Sequence, residues 1–321
     1  MSLPEELLNT YRKHKYSIVG QHGAVKTCHW ERRSLNTSGE EHCYKQRFYG
    51  VPCHRCLQMT PSLGHCLQSC VFCWRTTPEA LGVHWEQTSL HGRRVDEPEA
   101  LVDGCLEAHR RALLGFKGNP NVEERMFKEA MNPIHAAISL EGEPTLYPHL
   151  GDLVEAFYGR GFRTVFIVTN GLNPEILSGL STEPSQLYVS VSAPDEETYE
   201  RTCRPLVPDA WNRLMETMEV LRSFSCPTVL RHTLVPKINM NDPAGYAKLA
   251  EKSDATYIEP KAAMSVGYAR QRFGYDEMAW HSEIQEFAKA LAQKSGYNII
   301  DEQPLSSIVL LSRLTRAKKL Y

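Results

Sequence analysis

Three closely spaced cysteines are the first residues of this sequence that could do chemistry. Cys66, Cys70 and Cys73 lie in the stretch "HCLQSCVFCW", with the spacing C-x3-C-x2-C. Soft thiolates bind zinc or iron–sulfur clusters, and a closed structural zinc site needs four ligands. Each iron of a cubane cluster takes one ligand, so three thiolates leave one iron open. The spacing therefore predicts such a cluster, or a zinc site completed by His65 or by a distant cysteine.

The compartment expected for this chain favours metal or redox chemistry over disulfides. The N-terminal stretch "MSLPEELLNTYRKHK" has no apolar core or cleavage site of a signal peptide. No run of about 18 apolar residues is present that could cross a bilayer. We therefore expect a cytoplasmic protein with no membrane association, and thiols stay reduced in that compartment. Seven of the ten cysteines lie between Cys28 and Cys73.

The four cysteines that precede the three-cysteine loop could form a separate zinc site. Cys28, Cys43, Cys53 and Cys56 precede the three-cysteine loop, and the last two form a C-x2-C pair. Four thiolates could close one tetrahedral zinc site.

The composition places limits on partners. The chain has 321 residues, 42% of them hydrophobic, which is enough for one large domain or a domain with an extension. The net charge of -2 gives no global basic field, so binding of nucleic acid would need local patches. The candidate patches are Arg12, Lys13 and Lys15, the pair Arg32 and Arg33, and the tail residues Arg313, Arg316, Lys318 and Lys319.

Alternating strands and helices must position these residues. Apolar runs rich in β-branched residues lie at 135–140, 163–170, 186–193, 228–235, 255–260 and 306–313. Segments with helical periodicity lie at 148–161, 209–224, 242–253 and 282–296. Such alternation predicts an α/β fold with a parallel sheet and helices outside it. About six units fit a partial (β/α)6 barrel, with functional groups at the carboxyl ends of its strands.

The first part of the chain lacks long periodicity. We predict that residues 1–56 form a cysteine-rich N-terminal extension packed on the barrel, and that residues 57–321 form the barrel core with a C-terminal elaboration. Such an extension would bury too little apolar surface to order itself unaided. A metal could supply the missing stability.

The stretch "CLQSCVFCW", followed by β/α units, resembles the radical S-adenosylmethionine superfamily. The resemblance implies that S-adenosylmethionine occupies the open iron through its methionyl amine and carboxylate. It also implies a set of cofactor-binding residues, in the same order along the chain as in the superfamily. These are Phe72, Gly142, Glu143, Thr169, Asn170, Ser190 and Ser192.

Longer stretches resemble a narrower family, the archaeal-type 4-demethylwyosine synthases. They include "EEHCYKQRFYGVPCHRCLQMTPSLGHC" and "AAISLEGEPTLYPHLGDLV". The resemblance implies a second 4Fe-4S cluster held by Cys28, Cys43 and Cys56, with Cys53 as an extra thiol outside the pattern. The spacers of fourteen and twelve residues depart from the equal spacers of the family. It further implies that Lys45 forms a Schiff base with pyruvate.

The family's activity is the formation of a tricyclic base in tRNA. The resemblance implies that a radical derived from S-adenosylmethionine removes hydrogen from the methyl group of N1-methylguanosine in the anticodon loop of tRNA-Phe. The methyl carbon then joins pyruvate, whose carboxyl carbon is lost. An external electron donor, flavodoxin- or ferredoxin-like, and a monomeric chain are expected. The alternatives are a zinc-stabilised tRNA-binding module without radical chemistry, and a simple electron carrier, which would need no enclosing barrel.

Overall fold

A single sheet runs through the part of the chain that the computed structural model describes, which is residues 3–76, 82, 90 and 94–321. It has ten strands in the order β1-β2-β3-β4-β5-β6-β7-β8-β10-β9. The strands are β1 (Ser17–Val19), β2 (Gly23–Val25), β3 (Cys56–Thr60), β4 (His135–Ile138), β5 (Thr164–Thr169), β6 (Gln186–Ser190), β7 (Thr228–Leu234), β8 (Tyr257–Ala262), β9 (Asn298–Gln303) and β10 (Ile308–Ser312).

Six consecutive strands of this sheet, β3 to β8, are parallel. The β1–β2 hairpin extends the sheet beyond β3, and the β9–β10 hairpin extends it beyond β8, both antiparallel. Because β1 and β9 are sheet edges, the barrel is open. The predicted partial (β/α)6 barrel is therefore confirmed.

The membership of the six parallel strands differs from the sequence prediction. The run at 306–313 was expected to continue the β/α series, but β10 pairs antiparallel with β8. Strand β3 is the sixth parallel strand in place of β10. Its apolar run was not recognised because its inward side chains, Cys56, Gln58 and Thr60, are polar, whereas Leu57 and Met59 pack outward in the core.

Helices cover the outer face of the sheet. They are α1 (Glu5–Lys13), α2 (His29–Asn36), α3 (Tyr44–Tyr49), α4 (Pro98–Leu113), α5 (Glu124–Ala130), α6 (Leu150–Gly159), α7 (Pro174–Ser178), α8 (Glu196–Cys203), α9 (Ala210–Val220), α10 (Pro243–Ser253) and α11 (His281–Ser295). The four predicted helical segments correspond to α6, α9, α10 and α11. None of the described helices is long and apolar enough to cross a membrane.

The N-terminal segment is ordered by packing against the barrel. Helix α3 closes the amino end of the lumen, where Phe48 and Tyr49 pack with Phe166 and Tyr257 in one buried cluster. Strands β1 and β2 of the same segment join the main sheet. The barrel therefore supplies the surface against which the segment buries its apolar side chains. The predicted domain boundary at residue 56 stays a prediction.

Candidate active site

The two cysteine sets lie at opposite ends of strand β3. Cys56 is the first residue of the strand, and the loop with Cys66, Cys70 and Cys73 follows its carboxyl end. A strand of this length spans about 13 Å, at roughly 3.3 Å per residue. The lumen of the barrel therefore lies between two separate groups of thiols.

The three-cysteine loop is anchored to the last turn of α8. Val71 N donates to Thr202 O at 2.9 Å. Burial raises the pKa of the Cys66 thiol, and the neighbouring Cys70 adds to this effect. A free thiolate is unfavourable in such surroundings, whereas a thiolate bound to a positive metal centre is stabilised.

A single zinc ion and a cubane cluster place different demands on three thiolates. Among the residues that the structure describes, no group of three His, Cys, Asp or Glu side chains is placed to hold one metal ion. One zinc ion draws all its thiolates to about 2.3 Å, which brings them into contact with each other. A cubane binds each thiolate to a different iron, so its thiolates lie farther apart.

A glycine–glutamate turn follows β4, where the sequence predicted a contact with the methionyl group. Gly142 has a φ of 68°, and a Cβ atom there would lie 2.0 Å from Ser62 O and 2.6 Å from His65 O. Only glycine fits this turn, because a side chain would collide with the backbone that leads into the cysteine loop. Glu143 N donates to His65 O at 2.7 Å and holds the turn against that loop.

The Glu143 carboxylate binds the end of strand β5. Its Oε1 accepts from Thr169 Oγ1 at 2.5 Å, and its Oε2 accepts from Asn170 N at 2.7 Å. Thr145 donates its amide and its hydroxyl to Oε1 at 3.1 and 2.7 Å. The Glu143 carboxylate is thus occupied in holding the turn. Backbone carbonyl groups of the turn are therefore better acceptors for the ammonium group of a ligand. Asn170 Nδ2 is buried without a partner among the described residues, which suits a site for a polar ligand.

The remaining predicted cofactor residues lie in two places. Ser190 ends strand β6 and is half-buried. Ser192 Oγ accepts from Thr233 N at 3.2 Å and ties the end of β6 to β7, so Ser190 is the more accessible of the two. Phe72 packs with Phe273 in a small apolar cluster beside the cysteine loop.

Cys28, Cys43 and Cys56 lie together at the amino end of the lumen. Burial raises the pKa of the Cys56 thiol, while the nearby Lys45 opposes this effect and Cys28 and Cys43 add to it. Burial likewise raises the pKa of Cys28 and of Cys43 to about 12. The fold therefore brings together three thiols that are widely separated in sequence, with a lysine beside them.

Cys53 lies close to these thiols and bonds with backbone groups. Its Sγ donates to Trp30 O at 3.6 Å and accepts from Cys43 N at 3.5 Å. It lies in the short turn Cys53–Arg55 that precedes β3. The assignment of Cys56, and not Cys53, as the third ligand stays a prediction from the family resemblance.

Lys45 lies inside the lumen, unlike most lysines. It is 9% exposed, and its Nζ lies 3.9 Å from the ring centroid of Phe166 and 4.8 Å from that of Tyr188. Burial lowers its pKa, although Cys56 and Cys43 act in the opposite direction. A lowered pKa increases the fraction of neutral amine, which is the nucleophilic form.

A buried ion pair beside Lys45 was missed by the sequence reasoning. Arg231 on β7 pairs with Glu259 on β8, and Glu259 Oε1 accepts from Tyr49 Oη at 2.6 Å. Arg231 Nη2 also donates to Tyr44 Oη at 2.7 Å. The sequence feature that could have revealed this pair is a charged residue at an inward-facing position of a largely apolar strand, as Arg231 is in β7. Burying such a charge is costly unless it is paired or used.

A cavity of about 510 Å³ opens at the carboxyl ends of the strands, next to the cysteine loop. Its lining includes Tyr16, Lys26, Trp74, Arg75 and Tyr268. Lys26 Nζ lies 4.5 Å from the ring centroid of Tyr16 and 5.6 Å from that of Trp74. Aromatic faces next to cations suit a nucleotide, with its base stacked and its phosphate paired.

One of the predicted basic patches is used within the protein. Lys319 Nζ donates to Arg47 O at 2.8 Å and to Phe48 O at 2.9 Å, and so binds the last carbonyls of α3. Arg313 pairs with Asp254. This tail lies at the amino ends of the strands, opposite the cavity, where Lys319 and Arg313 have structural roles. Phosphate binding by the tail stays a prediction.

The fold and this site together define a radical S-adenosylmethionine protein. The barrel of six parallel strands is open, and a three-cysteine loop follows its first parallel strand. Comparison with known families agrees: residues 61–250 match the profile of the Radical SAM superfamily, and residues 252–313 match the profile for wyosine base formation. S-adenosylmethionine and an iron–sulfur cluster are the cofactors of that superfamily, as the resemblance implied.

Similarity to individual proteins identifies the family within this superfamily. The chain is 49% identical over 316 residues to the S-adenosyl-L-methionine-dependent tRNA 4-demethylwyosine synthase of Pyrococcus abyssi, covering 97% of this chain and 90% of the relative. It is 38% identical over 315 residues to the synthase of Methanocaldococcus jannaschii, covering 98% of each. A solved structure of TYW1 with a lysine-pyruvate adduct bound aligns with a TM-score of 0.86 at 36% identity, over 98% of each chain. The chain belongs to the tRNA 4-demethylwyosine synthase family.

Membership in this family confirms the resemblance on which the sequence interpretation was based. The zinc-stabilised binding module without radical chemistry is not favoured, since both family profiles and the relatives point to an enzyme.

Proposed function

We propose that this protein converts N1-methylguanosine in the anticodon loop of tRNA-Phe, together with pyruvate, into 4-demethylwyosine. One observation supports this reaction above all: two groups of thiols face one lumen from opposite ends, with the Lys45 amine at the inner end. Joining two different substrates requires two fixed positions in one enclosed space, and this arrangement lowers the barrier to their reaction. The lysine-pyruvate adduct in the related TYW1 structure adds support for the inner position.

Lys45 would hold pyruvate as an imine. Its neutral amine attacks the C2 carbonyl carbon, and a C=N bond replaces the C=O bond with loss of one water molecule. Burial lowers the pKa of Lys45, which favours the neutral form. Phe166 and Tyr188 lie 3.9 and 4.8 Å from Nζ, so the adduct would be confined between two rings.

The outer end of the lumen would hold the other cofactor. When bound with the Cys66, Cys70 and Cys73 cluster, S-adenosylmethionine supplies a carbon radical that removes hydrogen from an unactivated methyl group. The chain contributes position: the turn at Gly142 brings backbone close to the cysteine loop, and Asn170 Nδ2 is available for a polar contact. The enclosing barrel keeps water away from reactive species.

The cavity beside the cysteine loop would admit the tRNA nucleotide. A base inside a structured loop must be turned outward to reach an enclosed site. Trp74 and Tyr268 offer faces for stacking, and Lys26 offers a cation for a phosphate. Stacking on an aromatic side chain contributes about 1–3 kcal/mol per base, which can offset the cost of turning the base out.

The proposal includes finer points that follow from the family resemblance. A second 4Fe-4S cluster would be bound by Cys28, Cys43 and Cys56, and this agrees with the backbone contacts that occupy Cys53. The reaction would be of the carbon–carbon lyase type, because the bond between C1 and C2 of pyruvate breaks. The protein would act as a cytoplasmic monomer and receive electrons from an external flavodoxin- or ferredoxin-like donor.

Trapping with borohydride tests the role of Lys45. Anaerobically purified protein is incubated with pyruvate and borohydride, and peptides are analysed by mass spectrometry. We expect a reduced adduct on Lys45, and we expect Lys45→Ala to lose both the adduct and the tRNA product. Lys128→Ala on α5 is the matched control, because that lysine is exposed. Product formation at the normal rate by Lys45→Ala would contradict the proposal.

Iron and sulfide counts test the number of clusters. Two cubanes predict about eight iron and about eight sulfide atoms per chain, whereas a zinc protein would be colourless and contain neither.

Cys70→Ala should abolish cleavage of S-adenosylmethionine, since it removes a ligand of the cofactor-binding cluster. Normal formation of 5′-deoxyadenosine by that variant would show that the loop does not hold this cluster.

A further inference from the structure

We infer that Arg231 binds the carboxylate of the keto acid held at Lys45, and that it thereby selects 2-oxo acids over neutral ketones. This inference rests on the proposed reaction of Lys45. It identifies the group that would recognise the opposite end of the same small substrate.

Arg231 and Lys45 meet at one aromatic ring. The guanidinium carbon of Arg231 lies 5.2 Å from the ring centroid of Tyr188, and Lys45 Nζ lies 4.8 Å from the same centroid. The two side chains are therefore at most about 10 Å apart. A three-carbon 2-oxo acid attached to Nζ, together with a hydrogen bond of about 2.9 Å at the guanidinium end, spans most of this largest separation. The inferred contact therefore places Arg231 and Lys45 closer together than that limit.

Part of the Arg231 guanidinium has no protein partner. Its Nη2 donates to Tyr44 Oη at 2.7 Å and pairs with Glu259. Its Nε, in contrast, is buried without a hydrogen-bond partner among the described residues. A buried N–H group without an acceptor is unfavourable, and a carboxylate is a strong acceptor for the N–H donor of a charged guanidinium. The orientation of Arg231 is meanwhile held by Tyr44 and Glu259.

The balance of charge around Arg231 also favours an anion. Lys261 faces the lumen one inward position beyond Glu259, and its Nζ donates to Ser306 O at 2.7 Å. Lys45, Arg231 and Lys261 thus bring three basic groups to the same region. Glu259 is already shared between Arg231 and the hydroxyl groups of two tyrosines. Arg231 and Lys261 thus outnumber the single Glu259 carboxylate, which leaves positive charge for a substrate carboxylate to pair with.

The size of the substrate follows from the same surroundings. Phe166 and Tyr188 lie against Lys45 Nζ, and Tyr44 lies 5.1 Å from the guanidinium carbon of Arg231. These rings bound the space beside the two side chains. We therefore expect a compact 2-oxo acid to be accepted and a bulky one to be excluded.

The test compares two ketones in the borohydride assay on the clustered holoprotein. Pyruvate carries a carboxylate, whereas hydroxyacetone is a neutral ketone of the same carbon number. The variant is Arg231→Gln/Glu259→Gln, because removing Arg231 alone would leave Glu259 buried without its cation. Glu259→Gln alone is the control. The measured quantity is the ketone concentration that gives half-maximal labelling of Lys45.

We expect the double variant to need about tenfold more pyruvate or higher, which is the usual effect of losing a hydrogen bond between charged groups. We expect a change of less than about twofold for hydroxyacetone, which makes no such bond. Any effect of the variant on the Lys45 amine itself acts on both ketones equally, so the ratio of the two changes isolates the carboxylate contact. Arg231→Lys, which keeps the charge but loses the paired N–H donors, should give a smaller increase for pyruvate.

Equal changes for the two ketones, or no change for pyruvate in either Arg231 variant, would overturn the inference and leave Arg231 with a structural role. Failure of the wild-type protein to label at Lys45 with any ketone would instead overturn the proposed function. Circular dichroism and iron content of each variant establish that fold and clusters are retained. If the double variant does not fold, Arg231→Lys decides the question alone.

Discussion

Cys53 and Cys56 lie three positions apart, yet the fold gives them different surroundings. Cys53 bonds with backbone groups, whereas Cys56 begins the first parallel strand and lies near Lys45. We predict that Cys56→Ser loses the second cluster, so that iron falls from about eight to about four atoms per chain. Product formation should stop, while some uncoupled cleavage of S-adenosylmethionine should continue at the other cluster.

Cys53→Ser is the matched variant for this prediction. It should keep its iron and its product formation, because serine can take over the hydrogen bonds to Trp30 and Cys43. If Cys53→Ser loses product while Cys56→Ser does not, the two positions have been assigned in the wrong order.

His232 makes a second prediction at the residue scale, because its burial couples stability to pH. Burial lowers its pKa from 6.5 to about 4, and its ring nitrogen Nδ1 donates to Val191 O at 2.5 Å. The folded pKa is below the unfolded one, so this contribution to stability is present above pH 6.5 and is lost as pH falls towards 4. Between pH 7 and pH 4.5 the wild-type protein should lose about 2.5 kcal/mol through this group.

Urea unfolding at the two pH values checks this coupling. The free energy of unfolding of His232→Gln should fall less between them than that of the wild type, by about that amount. His149→Gln is the control, since His149 lies at the surface before α6. An equal fall in the wild type and in His232→Gln would show that His232 is not the group responsible.

At the scale of elements, the turn after β4 tests how closely the cysteine loop and the sheet approach each other. We predict that Gly142→Ala is destabilised by more than about 2 kcal/mol, because left-handed strain adds to a collision with Ser62 O and His65 O. It should also weaken binding of S-adenosylmethionine in equilibrium dialysis, since the turn and the loop hold the cofactor together.

Gly161→Ala separates the two causes. Gly161 has a φ of 83°, but a Cβ atom there would meet nothing within 4 Å. We expect a cost of about 1–2 kcal/mol from backbone strain alone, with unchanged cofactor binding. Equal costs for the two glycine variants would mean that the close approach at Gly142 has no energetic consequence.

At the scale of the whole molecule, the two ends of the barrel have different roles. The C-terminal tail covers the amino ends of the strands, where Tyr321 lies 4.9 Å from the ring of His135 and Lys319 binds the end of α3. The cavity with Lys26 opens at the other end, next to the cysteine loop. We therefore place the tRNA at the cavity end, and this arrangement replaces the tail as the expected phosphate-binding surface.

The dependence of tRNA affinity on salt distinguishes the two ends. Lys26→Met should reduce the slope of log affinity against log salt concentration by about 0.7, the value for one phosphate contact on a single strand. Lys319→Met should leave the slope unchanged but lower the free energy of unfolding by about 1–3 kcal/mol, since two charge-assisted hydrogen bonds are lost. Arg316→Ala, at an exposed position of the same tail, should change neither. A reduced slope for Lys319→Met would return the tail to the tRNA surface.

The sequence by itself determined the features that depend on local order. The spacing of Cys66, Cys70 and Cys73 indicated an open iron, because three thiolates within one loop are close whatever the fold. Apolar periodicity indicated four of the helices and five of the six parallel strands, because side-chain direction follows the backbone repeat. The family could also be recognised, since its motifs are continuous stretches such as "AAISLEGEPTLY".

Only the tertiary structure decided which distant residues meet. The antiparallel direction of β10 depends on its hairpin with β9 and its pairing with β8, and apolar periodicity is the same for either direction. Lys45 is buried because α3 closes the lumen. Arg231, on a strand nearly two hundred residues later, lies near the same Tyr188 ring. Burial and charge pairing both depend on neighbouring residues from many segments of the chain. These two properties determine the chemistry of Lys45 and Arg231, and they exist only once the barrel has formed.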